Sequence, residues 1–156
     1  MTIDETKEVV RRLINILNSR DLSRLSEVYD EDIVYLTGSG EEYRGLEIYR
    51  QAIEASFEGF SDLEFSIEEL MGEGDRVHMV YSMSGTHDGE YLGIPPSDQS
   101  VIHRASSLLT IQGGKVCEQV DFYDWLHFLR QLDAVSEEVR PGGKEWPSGG
   151  AKLRVH

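Results

Sequence analysis

The sequence predicts a single α+β domain: a cone-shaped, curved antiparallel sheet with N-terminal helices packed on its concave face. Apolar residues recur at helical spacing through much of the first sixty positions. From Leu63 the period changes to two and holds, strand after strand, to Tyr123. One short helical segment then follows. Helices that precede a run of long strands, rather than alternating with them, cover one face of an antiparallel sheet. A sheet of four such strands, curled around the helices, leaves a cavity between the layers.

Residues 4–19 place Val9, Val10, Leu13, Ile16 and Leu17 on one helical stripe, with Thr2 or Asp4 as the cap. Asp21 is expected to cap a second short helix over 22–29, and 32–37 reads as a strand ending in the turn Gly38-Ser39-Gly40. Residues 45–60 form a helix with Leu46, Tyr49, Ile53 and Phe57 on its apolar side. Leu63, Phe65 and Ile67 then alternate with polar residues, and Gly72-Glu73-Gly74-Asp75 is a hairpin signal. The next strand, 76–85, points Val77, Met79, Tyr81 and Met83 one way and His78 the other. A Gly- and Pro-rich loop, stiffened by Pro95-Pro96, leads to a strand over 101–111. Gln112-Gly113-Gly114-Lys115 is a tight turn into a last strand over 116–123, and Asp124 caps a helix over 125–132.

A length of 156 residues suits one core. Residues 1–133 form the cone domain. Residues 134–156, with Pro141-Gly142-Gly143 and Pro147-Ser148-Gly149-Gly150, form a tail expected to be mobile or packed on a partner subunit. Hydrophobic residues make up 39% and charged residues 28%, which excludes a membrane-embedded or disordered chain. No apolar run approaches the roughly 20 residues of a membrane span, and the acidic N-terminus lacks a signal pattern. A cytoplasmic location is expected. With 29 acidic and 15 basic residues the net charge is -14, which disfavours nucleic acids and anionic membranes as partners. The single cysteine, Cys117, cannot form an intrachain disulfide and reads as a small core residue.

Five short segments occur in a distinctive order: Gly74-Asp75-Arg76-Val77, Gly85-Thr86-His87-Asp88-Gly89-Glu90, Gly93-Ile94-Pro95-Pro96, Gly114-Lys115-Val116, and Glu118-Gln119-Val120-Asp121 followed by Asp124. Together they resemble the SnoaL-like polyketide cyclases, or ester cyclases, of the nuclear-transport-factor-two-like (cystatin-like) superfamily, across roughly Thr6 to Leu132. The chain departs from that pattern in three places. Ser97-Asp98-Gln99 stands where Thr-Gly and a basic residue usually follow the prolines. Gln119-Val120 stands where His-Trp is frequent, and Thr110 replaces an Arg.

The resemblance implies closure of a ring by intramolecular aldol condensation, with no metal or cofactor and an Asp on the last strand as general acid/base. That residue is Asp121. An aldol needs a proton removed beside a carbonyl and another delivered to the new alkoxide, and a carboxyl of raised pKa in an apolar pocket does both. Asp121 shares strand parity with Cys117, Gln119 and Tyr123 and is flanked by Val120 and Phe122. Taken alone, without the resemblance, it reads rather as a strand-end Asp bonded to the next helix. Asp124 is either the cap of the last helix or a second pocket carboxylate. His87 is either an exposed turn residue or, by the resemblance, a group at the cone mouth that polarises a carbonyl. His103 alternates with Val101, Ala105, Ser107 and Leu109, and lies either opposite Asp121 in the cavity or on the outer face. Gln119 is a candidate donor to an enolate oxygen. Tyr35, Tyr91 and Trp125 are candidate cavity walls or core residues. No metal-ligand spacing such as His-x-x-x-His or Cys-x-x-Cys occurs. A small hydrophobic carbonyl ligand and a homodimer are the expected partners. The alternative is a non-catalytic ligand-binding or dimerisation module of the same fold.

Overall fold

Helix α1, Ile3–Ser19, opens with a reciprocal cap. Thr2 Oγ1 accepts the Glu5 amide at 3.2 Å while Glu5 accepts the Thr2 amide at 2.6 Å, so two otherwise orphaned donors are satisfied. Its buried stripe of Val9, Val10, Leu13, Ile14, Ile16 and Leu17 lies against the sheet. Each such side chain contributes on the order of 1.5–3 kcal/mol when fully buried. In this computed structural model, which describes residues 1–135, the elements that follow are β1 (Tyr29–Thr37), β2 (Glu42–Arg44), α2 (Leu46–Gly59), β3 (Glu64–Glu73), β4 (Arg76–Thr86), β5 (Ser100–Gln112), β6 (Lys115–Tyr123) and α3 (Trp125–Gln131). The expected tail, 134–156, lies almost wholly outside the described residues. No described helix is long and apolar enough to cross a membrane.

The sheet has six strands in the order β2-β1-β6-β5-β4-β3, not the four expected. All neighbours are antiparallel except β1 and β6, which run parallel with Thr37 beside Asp121. Strand β1 begins at Tyr29, so the expected helix over 22–29 shrinks to a 3-10 helix over Leu22–Glu27. Only Leu25 is buried there, too little to hold a longer helix. Asp21 does not cap it; its carboxylate accepts the Ser23 hydroxyl instead. Strand β2 is three exposed residues with no apolar period to read. A bulge where Thr110-Ile111 faces β6 shifts the alternation, so Val116 and Gln119 both point inward and Cys117 does not. Cys117 is therefore half-buried rather than a core residue, and burial pushes its thiol pKa up. The β5–β6 turn needs positive φ at both central residues, supplied by Gly113 (φ 58°) and Gly114 (φ 79°).

Along a single strand the inner face passes from solid core to open space. On β4, Val77, Met79 and Tyr81 are buried, and Met83 lines a cavity. On β5, Ile111 and Leu109 are core residues, Ser107 is fully buried, and His103 and Val101 face the cavity. Helix α1 fills the narrow end, while α2, α3 and the loop after β4 surround the wide end.

That loop is tied down at several points. The amides of Asp88 and Gly89 donate to the Gly59 carbonyl at 3.2 and 3.1 Å, at the end of α2. The Asp88 carboxylate accepts the amide and hydroxyl of Ser61, and Asp62 accepts the amide and hydroxyl of Thr86. The approach is so close that a Cβ on Gly89 would meet the Glu58 carbonyl oxygen at 2.0 Å. Gly89→Ala is therefore expected to cost about 1–3 kcal/mol of stability, the usual range for overpacking, read as a lowered midpoint in chemical denaturation.

Candidate active site

The cavity has a volume of about 550 Å³ and is walled largely by apolar and aromatic side chains. Helix α2 contributes Ile48, Tyr49, Ala52, Ile53 and Ser56 on one side; of the stripe read from the sequence, Tyr49 and Ile53 line the cavity and Leu46 and Phe57 do not. The sheet contributes Tyr35, Met83, Val101, His103, Asp121 and Tyr123, and α3 contributes Trp125 and Phe128. Tyr43, Ile48, Leu92 and Trp125 are lining residues more than two-fifths exposed, which marks them as the mouth. Leu92 sits there at φ 51°, an uncommon conformation for a branched residue. It is held in a tight turn in which Tyr91 and Ile94 exchange backbone hydrogen bonds.

Asp121 is 2% exposed. Antiparallel pairing sets it opposite Ser107, whose hydroxyl donates to Oδ1. The Gln119 amide nitrogen lies 2.9 Å from Oδ1 and 3.2 Å from Oδ2, and the Tyr123 hydroxyl donates to Oδ2 at 2.9 Å. The Tyr81 hydroxyl in turn donates to the Tyr123 oxygen at 3.3 Å. Loss of hydration favours the neutral carboxyl and raises its pKa. The donors from Ser107, Gln119, Tyr123 and Tyr35 favour the ionised form and hold that rise back. The phenols of Tyr35, Tyr49, Tyr81 and Tyr123 are pushed up by burial and by the carboxylate they surround, so they remain protonated donors.

His103 faces inward, 4% exposed, but not opposite Asp121; its partner across β4 is Met83. Its ring stacks on Tyr123 at 5.9 Å and 16°. Burial first, and then nearby His127, lower its pKa, and Nδ1 has no hydrogen-bond partner among the described residues. His87 is neither exposed nor at the mouth. It is fully buried beneath the loop, stacked on Phe60 at 5.2 Å, with Nδ1 bonded to the Ser97 hydroxyl and accepting the Ser97 amide at 3.2 Å. It is not among the lining residues. Asp124 is the helix cap, accepting the His127 amide at 3.0 Å, and is likewise not a lining residue. Gln119 is turned to the carboxylate rather than to the cavity. Tyr35, Tyr91 and Trp125 all line the cavity. Among the described residues no three His, Cys, Asp or Glu side chains converge as a metal site. Ser107 and Tyr123 were missed as candidates. The signal for Ser107 was a lone hydroxyl on the apolar face of β5, and for Tyr123 its parity with Asp121.

The sequence model of the SnoaL-like polyketide cyclase family matches residues 7–132. The chain belongs to that family. Similar solved members of the fold include a protein from Jannaschia sp. CCS1 described as a SnoaL-like polyketide cyclase, 28% identical, with a TM-score of 0.79 over 87% of this chain and 97% of that one. AclR from Streptomyces galilaeus, described as a hydroxylase, is 26% identical with a TM-score of 0.79, over 90% of this chain and 87% of that one. IdmH from Streptomyces antibioticus, described as a polyketide cyclase, shares the fold at 22% identity and a TM-score of 0.74, over 82% of this chain and 98% of that one. A search among curated proteins finds no match. The family assignment agrees with the order of short segments from Gly74 to Asp124 and with the α+β cone.

The buried carboxyl has a measurable consequence. Its pKa is raised on folding, so the native state binds the proton more tightly than the unfolded chain, whose value is near 3.8. This contribution is fully present below that value and is lost as pH rises through the higher native one. Asp121→Asn removes it. The stability of the variant relative to wild type is expected to rise across that window and level off above it, as measured by urea denaturation between about pH 4 and about pH 8.

Proposed function

We propose that the protein binds a small, uncharged, hydrophobic carbonyl compound in the cone and closes it by cofactor-independent acid/base chemistry, an intramolecular aldol reaction of polyketide type. The observation that carries this reading is a buried carboxyl of raised pKa, Asp121, set in the wall of a largely apolar and aromatic cavity. Among the described residues the lining includes no Lys or Arg that would neutralise an anionic ligand beside the carboxylate. The volume falls within the range of small-molecule sites.

In this mechanism ionised Asp121 takes a proton from carbon next to a carbonyl. The electron pair left behind becomes an enolate, which attacks a second carbonyl of the same molecule. A carbon–carbon bond forms, the attacked carbonyl becomes an alkoxide, and the protonated Asp121 returns its proton there, so no co-reactant is consumed. Neutral His103, whose Nδ1 has no partner among the described residues, and the protonated Tyr35 are the groups able to polarise the carbonyls. The aromatic walls exclude water that would quench the enolate.

Asp121→Asn is expected to lower turnover of an active diketone substrate by about 10²–10⁴-fold, the usual contribution of a general acid/base, while aromatic ketones still quench Tyr and Trp fluorescence on binding. Equal turnover by the two proteins removes Asp121 from the mechanism. Binding by wild type with no turnover across a panel of diketones would favour the non-catalytic module.

The proposal includes a homodimer built on the outer face of the sheet. Ile102 and Phe122 are 45% and 49% exposed there, on adjacent strands β5 and β6. Sedimentation at micromolar concentration is expected to give a dimer that Phe122→Lys converts to monomer; a wild-type monomer would contradict it.

A further inference from the structure

The hydrogen bonds around Asp121 differ in kind. Ser107 and Tyr123 reach it with hydroxyls, which can rotate to donate or accept. Gln119 reaches it with an amide, which has fixed ends. An ionised carboxylate only accepts, so the nitrogen must face it; turned over, the amide would aim its oxygen at the carboxylate. One contact settles which end faces the carboxyl. Tyr29, fully buried on β1, donates its hydroxyl to Gln119 Oε1 at 2.5 Å. Tyr29 is not a lining residue; its ring lies 4.7 Å from that of Tyr49, which is.

We propose that Tyr29 is a positioning residue for Asp121 that acts through Gln119: its hydroxyl holds the amide with nitrogen turned to the carboxyl and oxygen turned away. The functional meaning of this clamp rests on the acid/base reading of Asp121, but its physical content does not. The remaining groups around the carboxyl are Ser107 on β5, Tyr81 on β4, Tyr123 on β6 and Tyr35 on β1, with Tyr49 of α2 and His103 of β5 further along the cavity. None carries a formal charge at neutral pH, so, against the loss of hydration that favours the neutral acid, the orientation of nearby dipoles sets how far Asp121 ionises. Without the Tyr29 hydroxyl, the buried Gln119 oxygen loses its donor. It can regain one by turning to a protonated Asp121, and the neutral carboxyl is then favoured.

The test follows the carboxyl resonance of Asp121 in protein labelled with ¹³C-aspartate, assigned by its absence in Asp121→Asn. Tyr29→Phe and Gln119→Met are each expected to move its titration to higher pH and to lower the ionised fraction near neutrality. In the Gln119→Met background, Tyr29→Phe is expected to move it much less, since the hydrogen-bonded route from Tyr29 to the carboxyl runs through Gln119 and only the weaker coupling through Tyr49 and through space remains. A titration unmoved by Tyr29→Phe overturns the proposal, and so does an equal shift with and without Gln119. Should Gln119→Met fail to fold, Tyr29→Phe alone decides by the presence or absence of the upward shift. Because the readout needs no turnover, the two readings fail separately. Full activity in Asp121→Asn sinks the acid/base role and leaves the clamp, whereas an unmoved titration sinks the clamp and leaves the acid/base role.

Discussion

Burying a carboxyl group carries a large desolvation cost, and the arrangement around Asp121 is organised by how that cost is met. A charged group without partners would not remain charged in such a place; it would keep its proton. Here donors from β5 and β6 reach the two oxygens, the Tyr35 phenol of β1 adds to them, and a further phenol, Tyr81, stands behind Tyr123. Loss of water pulls the carboxyl toward the neutral state and the donors pull it toward the ionised state. The balance leaves a group able to give and take a proton, which neither a bare buried acid nor a solvated one would provide. That balance needs β5 and β6 in one register, because Ser107 and Asp121 meet only as cross-strand partners.

The same register explains how much was legible in advance. The helical stripes on α1 and α2, the period of two in β3 to β6 and the Gly-Gly turn are local signals, and local signals suffice for them. The family pattern pointed to Asp121 as the pocket carboxyl, while alternation alone left His103 open between the inner and the outer face. What escaped was non-local. The parallel pairing of β1 with β6 joins residues some ninety positions apart, as in the Tyr29–Gln119 contact, and no periodicity announces it. The bulge in β6 breaks the parity that Cys117 was expected to share with Asp121. Gln119 carries no mark in the sequence of whether its amide meets a ligand or a neighbouring side chain. Three-residue β2 is too short and too exposed to show a period at all.

His87 shows how a reading by residue type goes wrong. A histidine in a Gly-rich turn reads as exposed, or as catalytic once a family pattern is in view. The structure gives it a different task. Its backbone pairs with Gln99 and Asp98, and its ring accepts Ser97, so both ends of the loop meet at one residue. The loop then carries Tyr91 and Leu92 to the cavity. Ser97 occupies a position where this chain departs from the usual family sequence, and its hydroxyl and amide are the groups that hold the His87 ring.

Gln119 lies at another such departure, where His is frequent in the family, and the exchange changes what the neighbour of Asp121 can do. An imidazole beside the carboxyl could take up charge and form an ion pair, which would hold the acid ionised. An amide cannot be charged in either state. It answers a change at Asp121 only by which end it presents, and Tyr29 controls that choice. Ser107 and Tyr123 also favour the ionised form, but they can follow the proton by rotating their hydroxyls. Gln119 can follow it only by turning its amide over. The protonation of Asp121 is thus tied to the orientation of one amide in the interior, with no second ionised group in contact with the carboxyl. This polarity suits a cavity whose lining, among the described residues, includes no Lys or Arg, and the uncharged ligand proposed for it.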